Sequence, residues 1–206
     1  MKGRFITLEG IEGVGKSTNL EFVAECCRAA GHTVVTTREP GGTPAAEAIR
    51  EFILSRPRAE LSDLAELLLM FAARTEHLSG LIQPALAAGK TVICDRFSDA
   101  SFAYQGGGRG LPEASIVALR DLVQGDLRPD LTLLLDAPLE ISARRMAERD
   151  VQDRFEQEQL EFFERVRAGY RKIAAAEPER VKIIDASRSL EQVQENISQL
   201  LQQYIL

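Results

Sequence analysis

Tryptophan is absent from the chain, histidine occurs twice and cysteine three times. The cysteines, Cys26, Cys27 and Cys94, are odd in number and two are adjacent, so no disulfide framework is laid out. There is no CxxC pair and no Cys/His cluster at zinc spacing, and two isolated histidines, His32 and His77, do not make a metal site. No apolar run approaches the roughly 18 residues of a membrane helix; the longest, Leu67 to Ala73, is far shorter. Glu9 comes too early for a signal peptide. A basic excess is missing too. With 25 Lys+Arg against 31 Asp+Glu the net charge is −6, which argues against general nucleic-acid binding. No internal repeat or low-complexity segment appears. The composition is that of an ordinary globular protein in a reducing cytosol. Its 206 residues suffice for one domain that buries roughly 70% of its unfolded surface without staples.

Strand-like and helix-like stretches alternate. Arg4 to Glu9, Thr33 to Thr37, Thr91 to Cys94, Leu131 to Leu135 and Val181 to Ile184 read as strands. They are short, apolar and not alternating, as strands buried on both faces of a parallel sheet are. Lys16 to Ala30, Pro44 to Ser55, most of Leu61 to Ala88, Leu139 to Arg149, Gln157 to Ala176 and Leu190 to Ile205 read as helices. This pattern predicts an α/β fold of about five parallel strands, with a ligand crevice at the strands' C-terminal ends. The helix around Leu67 to Phe71 is apolar on every side, so it is either deep in the core or packed against a second subunit. Cys94 is expected as a small buried hydrophobe and His32 at the surface.

Gly10-Ile11-Glu12-Gly13-Val14-Gly15-Lys16-Ser17 fits G-x-x-x-x-G-K-[ST] between a predicted strand and a predicted helix. Glycines at Gly10, Gly13 and Gly15 let backbone N–H groups converge on a phosphate, and the helix adds its positive end. Lys16 supplies charge to the β/γ-phosphates, and the Ser17 hydroxyl can bind Mg²⁺. A nucleoside triphosphate is the expected ligand. No NKxD-type guanine motif is present. Asp95, Asp136 and Asp185 each end a strand and could hold the metal; Arg96, an anion ligand directly after Asp95, favours Asp95, and Asp136 also reads as a strand-end cap.

Arginines gather in loops and at strand ends although the chain is acidic: Arg38, Arg96, Arg109, Arg144, Arg145, Arg149 and Arg154. Singly, each reads as a solvated surface residue. As a set they suit phosphoryl transfer, where a donor and a phosphorylated acceptor both need cations. The polar stretch Met146 to Phe155 fits a lid closing over the triphosphate, or an ordinary surface loop.

Phe5 to Gly10, Thr37-Arg38-Glu39-Pro40-Gly41-Gly42-Thr43, Asp95-Arg96-Phe97, Ala103-Tyr104-Gln105-Gly106 and Asp153-Arg154-Phe155-Glu156 together resemble the bacterial thymidylate kinases, over essentially the whole chain. The resemblance implies one domain over residues 1–206 with a lid around 144–155. It also implies the P-loop nucleoside-monophosphate-kinase fold, a homodimer, and transfer of the γ-phosphoryl of ATP to dTMP with Mg²⁺. By position, the backbone from Gly10 through Val14 to Thr18, with Lys16, is the ATP phosphate cradle. Ser17 and Asp95 are the metal residues. Glu12 reaches the acceptor sugar's 3′-hydroxyl, and Arg38 and Arg96 hold the acceptor phosphate. Glu39 joins the magnesium or substrate network beside Pro40, and Arg50 lines the acceptor pocket. Arg74, Ser101 and Gln105 meet the thymine edge, and Tyr104 packs below the sugar. Arg144, Arg149 and Arg154 serve the donor phosphates from the lid, with Arg149 as the transition-state arginine. The family's ring that stacks on thymine falls at Met70 by counting back from Arg74, with Phe71 next to it; helical spacing puts either on Arg74's face, and Phe71 is preferred as the ring. Rival readings are a kinase for another monophosphate or a deoxynucleoside, and a P-loop switch that binds ATP without an acceptor.

Overall fold

Every residue of Phe5–Glu9 is buried, including Thr7, whose hydroxyl meets that of Thr132 at 2.7 Å. This strand, β1, is the middle of a five-stranded parallel sheet in the computed structural model, which describes residues 3–57, 60–147, 155 and 158–206. The other strands are Val34–Arg38 (β2), Thr91–Asp95 (β3), Leu131–Asp136 (β4) and Val181–Asp185 (β5), in the order β2-β3-β1-β4-β5. Ile6 faces Ile93 on one side and Leu131 on the other. β1, β3 and β4 are apolar on both faces because helices cover both; the edge strands β2 and β5 are partly exposed. All five predicted strands are present, to within one residue at each end.

The helices are Lys16–Ala29 (α1), Pro44–Leu54 (α2), Asp63–His77 (α3), Gln83–Ala87 (α4), Ser98–Ser101 (α5), Glu113–Gln124 (α6), Leu139–Ala147 (α7), Leu160–Ala176 (α8) and Leu190–Tyr204 (α9). Their starts carry the expected chemistry. Thr43 and Ser62 accept backbone N–H bonds from Ala46 and Ala65, and Ser189 with Gln192 forms a capping box. The predicted helix from Leu61 to Ala88 is α3 and α4 joined by a π-helical turn, Leu78–Ile82.

Sequence reading did not anticipate α5, the π-helical segment Phe102–Gly108 or α6. Gly106-Gly107-Gly108 reads as loop, yet Gly107 and Gly108 sit against α8 and Gly106 against Ile116 of α6. A Cβ on Gly107 would lie 2.8 Å from the Arg165 carbonyl oxygen, and one on Gly108 2.5 Å from the Phe162 ring. Close packing of two helices, rather than a turn, uses the missing side chains. Arg109, expected in a loop, is instead buried against Glu66, Asp63 and Glu158.

Candidate active site

β1 passes directly into the glycine-rich loop. Gly13 has φ +75°, and a Cβ there would run into the carbonyl oxygen of Ser142 at the start of α7, so loop and helix can meet only around a glycine. α1 then begins after Gly15 without a side-chain cap, which leaves its first-turn N–H groups for an anion. Ser17 and Thr18 are exposed at this end and Val14 is buried in the core. Lys16 folds back over the loop and donates from Nζ to the carbonyl oxygens of Gly10 (3.1 Å) and Ile11 (2.8 Å). Burial, with the Arg96 charge nearby, lowers its pKa from 10.5 to about 8.

The three strand-end aspartates differ in what surrounds them. Asp136 is gripped by Arg167 through two bonds of 2.6 and 2.9 Å, an ion pair rather than a strand-end cap. Asp185 is exposed and bonded to Ser187 and Arg188. Only Asp95 keeps a buried oxygen, Oδ1, with no hydrogen-bond partner. Such an orphan costs about 1–3 kcal/mol, so it is the oxygen poised for a cation. Hard oxygen donors at Asp95, the last residue of β3, and at Ser17, in the first turn of α1, fit Mg²⁺. Among the described residues no cluster of three or more His, Cys, Asp or Glu could hold a metal. Mg²⁺ suits that, because it is usually held by one or two carboxylates together with substrate phosphates.

Arg96 follows in the left-handed region, φ 69°, which is uncommon outside glycine. The turn is pinned from three sides: the Arg96 N–H donates to Leu8 (2.9 Å), the Cys94 thiol to the Arg96 carbonyl (2.9 Å), and the Phe97 N–H to Glu9 (2.7 Å). These bonds offset a backbone cost of about 1–3 kcal/mol. They also aim the guanidinium at the phosphate loop, where Nη1 donates to Gly10 (2.9 Å) and to the Tyr170 hydroxyl (3.2 Å), and Nη2 to Glu12 (2.7 Å). Tyr104 donates to the other Glu12 oxygen at 2.6 Å and lies with its ring 4.8 Å from the Arg96 guanidinium. Glu9 and Tyr170 carry this arrangement and were not singled out from sequence. Tyr170 donates to Glu9 at 2.7 Å, and burial together with Asp99 pushes the Glu9 carboxyl from 4.5 up to about 8.

A cavity of about 590 Å³, part of it open to solvent, adjoins this knot. Glu12, Glu39, Pro40, Arg50, Arg74, Arg96, Ser101, Tyr104 and Gln105 line it, together with Leu54, Met70, Phe97, Ala100 and Phe155. The Arg74 guanidinium lies between the rings of Phe71 (4.6 Å) and Phe97 (5.3 Å). Its Nε donates to Glu39 (2.7 Å) and its Nη2 to the Phe97 carbonyl and the Ser101 hydroxyl (3.1 Å each), while Nη1 is buried without a partner. The second Glu39 oxygen pairs with His77 Nδ1 at 3.1 Å, and His77 Nε2 with Thr37 at 2.7 Å. His77 is therefore a fully buried support for Glu39. Arg50 donates to the Pro40 carbonyl at 2.9 Å.

Two expected site residues are placed elsewhere. Phe71 does not reach the cavity; it packs with Leu67 and Ile116 behind Arg74, and Met70 faces the cavity instead. Arg38 turns outward to pair with Glu47 at 2.8 Å and does not line the cavity, because the chain bends at Glu39–Pro40 and sends its neighbour Glu39 inward. Arg144 is exposed on α7. Arg149 and Arg154 lie outside the described residues, as does most of the stretch read as a lid. His32 is half-buried, bonded to Thr91 at 2.7 Å rather than free at the surface.

The sequence model of the thymidylate kinase family matches residues 8–197. A thymidylate kinase of Chromohalobacter salexigens is 60% identical over 198 residues, covering 95% of this chain and 93% of that protein. One of Pseudomonas syringae pv. tomato is 56% identical over 201 residues, covering 98% and 96%. The crystal structure of thymidylate kinase from Ehrlichia chaffeensis superimposes with a TM-score of 0.80 at 35% identity, covering 98% of this chain and 99% of that one. Likeness in sequence and in fold thus runs through both the phosphate loop and the cavity walls, and the chain belongs to the thymidylate kinase family.

Proposed function

We propose that the protein transfers the γ-phosphoryl group of ATP to dTMP, giving dTDP and ADP for dTTP synthesis, with the triphosphate on the glycine-rich loop and dTMP in the adjoining cavity. The observation that carries this reading is Arg74 Nη1, a donor buried without a partner in the wall of a cavity joined to the phosphate loop through Arg96 and Glu12. A guanidinium cannot accept a hydrogen bond, so it calls for an acceptor such as the O4 of thymine.

The backbone from Gly10 to Thr18 and Lys16 cradle the donor phosphates. Lys16 donates to two backbone carbonyl oxygens, and a phosphate arriving there takes over its charge. Arg96 and Arg50 hold the acceptor phosphate, and Glu12, fixed by Arg96 and Tyr104, faces the sugar. Ser17 and Asp95 hold Mg²⁺, which when bound neutralises charge on the transferring phosphates. Arg96 does the same from the acceptor side. No general base is required, because the attacking phosphate oxygen is ionised at neutral pH. Met70 and Phe97 pack on the base. Closure of the segment 144–155 brings Arg149 and Arg154 to the donor and excludes water.

A homodimer accompanies this reading. Leu64 and Leu68 on α3 and Leu122 on α6 are 53%, 49% and 81% exposed, on two helices that pack together, which supports an apolar contact with a second copy. Among the described residues no helix is long and apolar enough to cross a membrane, and the three cysteines are free, which suits a reducing cytoplasm. No role with nucleic acid is proposed.

The test is ADP formation from Mg-ATP with dTMP, dUMP, dCMP, dGMP and AMP offered separately, with Lys16→Ala as the control. Turnover confined to dTMP and, more weakly, dUMP is expected, with a loss of roughly 10²–10³ in kcat for the variant. Preference for another monophosphate would overturn the acceptor assignment, and ATP binding without any acceptor-dependent turnover would make the protein a switch.

A further inference from the structure

Glu66 sits in the first turn of α3 with no solvent exposure, a place where a carboxylate survives only if it is paired. Arg109, whose side chain is 4% exposed, supplies the charge, donating to Oε1 at 3.4 Å and to Oε2 at 3.5 Å. Arg109 is itself held by Glu158 at 2.6 Å and by the Phe162 ring at 4.3 Å. Glu66 also accepts from Gln105, whose Nε2 donates to Oε1 at 3.0 Å. A carboxylate beside an arginine offers acceptors only, so the amide of Gln105 has one allowed orientation, nitrogen toward Glu66. Gln105 lines the cavity, and the group it offers there is its carbonyl oxygen.

We infer that Glu66 is a specificity-determining positioning residue: by fixing the Gln105 amide it presets a hydrogen-bond acceptor next to the Arg74 donor, a pair that admits a base with an N3–H and an O4 and rejects one with an N3 acceptor and an N4 amino group. The inference rests on the proposed function, since it concerns the base of the same acceptor. Arg74 is preset in the same manner by Glu39, which takes its Nε, while Nη1 is left without a hydrogen-bond partner. Each reader therefore has a buried carboxylate behind it. Thymine and uracil present the matching edge; cytosine presents the reverse of it, so its monophosphate meets donor against donor at Arg74 and acceptor against acceptor at Gln105. The 5-methyl group plays no part in this selection.

Glu66→Leu tests it. The place then offers Gln105 no acceptor, so its amide is no longer held in one orientation, while Arg109 keeps Glu158 and Asp63. The dTMP-to-dCMP ratio of kcat/KM is expected to fall at least about tenfold, through a higher KM for dTMP, while the dTMP-to-dUMP ratio and the KM for ATP stay at the wild-type values. An unchanged dTMP-to-dCMP ratio, or an equal loss with all three acceptors, overturns the inference. Wild-type protein gives an independent reading should the variant not fold: the 5′-monophosphate of N3-methylthymidine, which has no N3–H, is expected to be turned over at least about tenfold less efficiently than dTMP, and turnover equal to dTMP overturns the inference. Failure of the functional reading is told apart because it shows in the wild type as no turnover with dTMP itself.

Discussion

Glu9 has no access to water and faces Asp99 as well as Tyr170, so its proton is held far above the carboxylate range, to about 8. Between about 4.5 and about 8 the folded chain keeps a proton that the unfolded chain has released. Stability therefore falls as pH rises through that window and levels off above it. Lys16 acts in the next window with the opposite sign. Its pKa is lowered to about 8, so between there and 10.5 the unfolded chain binds the extra proton and stability rises with pH. Glu9→Gln keeps the shape and removes the first slope. Denaturant midpoints measured from pH 5 to pH 8 are expected to flatten in the variant relative to wild type; an unchanged slope would assign it to other groups. Glu9 was visible in the sequence only as the charged end of an apolar strand. Its partner Tyr170 is 161 residues away, and no spacing rule connects the two. The motif residues, by contrast, were legible because their spacing is local: Gly10 to Ser17 can be recognised from its own eight residues and the elements on either side.

Among the elements, the strands were legible because burial on both faces leaves an unmistakable apolar run. The stretch from Ser98 to Gln124 was not, because Gly107 and Gly108 serve a contact with α8, a helix far along the chain, as the Gly108–Phe162 approach illustrates. α3 shows the same limit within one turn. Met70 and Phe71 stand four and three residues before Arg74, so spacing admits both. What decides is the neighbour of each face, the cavity for Met70 and Ile116 for Phe71. Met70→Ala is expected to raise the KM for dTMP several-fold with little change in melting temperature. Phe71→Leu is expected to cost about 1–3 kcal/mol of stability with a smaller effect on that KM. The reverse pattern in a thermal-shift and steady-state comparison would return Phe71 to the base.

For the molecule as a whole, the apolar run from Leu67 to Phe71 carried two readings that composition could not separate: Leu67 and Phe71 are core, whereas Leu68 is half exposed, as the proposed contact with a second copy requires. Sedimentation of the wild type at twice the mass of one chain, and of Leu68→Glu with Leu122→Glu at the mass of a single chain, is expected; a double variant that stays dimeric would move the contact off α3 and α6. The position of β1 carries one more consequence, for the order in which the protein can assemble. The strand leads the chain but occupies the centre of the sheet, between β3 and β4, and the loop after it rests on residues 135 and 142: a Cβ on Gly10 or Gly13 would strike their carbonyl oxygens. During synthesis β1 and its loop therefore precede the neighbours they pack against, and a polypeptide ending before β4 carries the nucleotide motif without the carbonyls of Leu135 and Ser142 on which Gly10 and Gly13 rest.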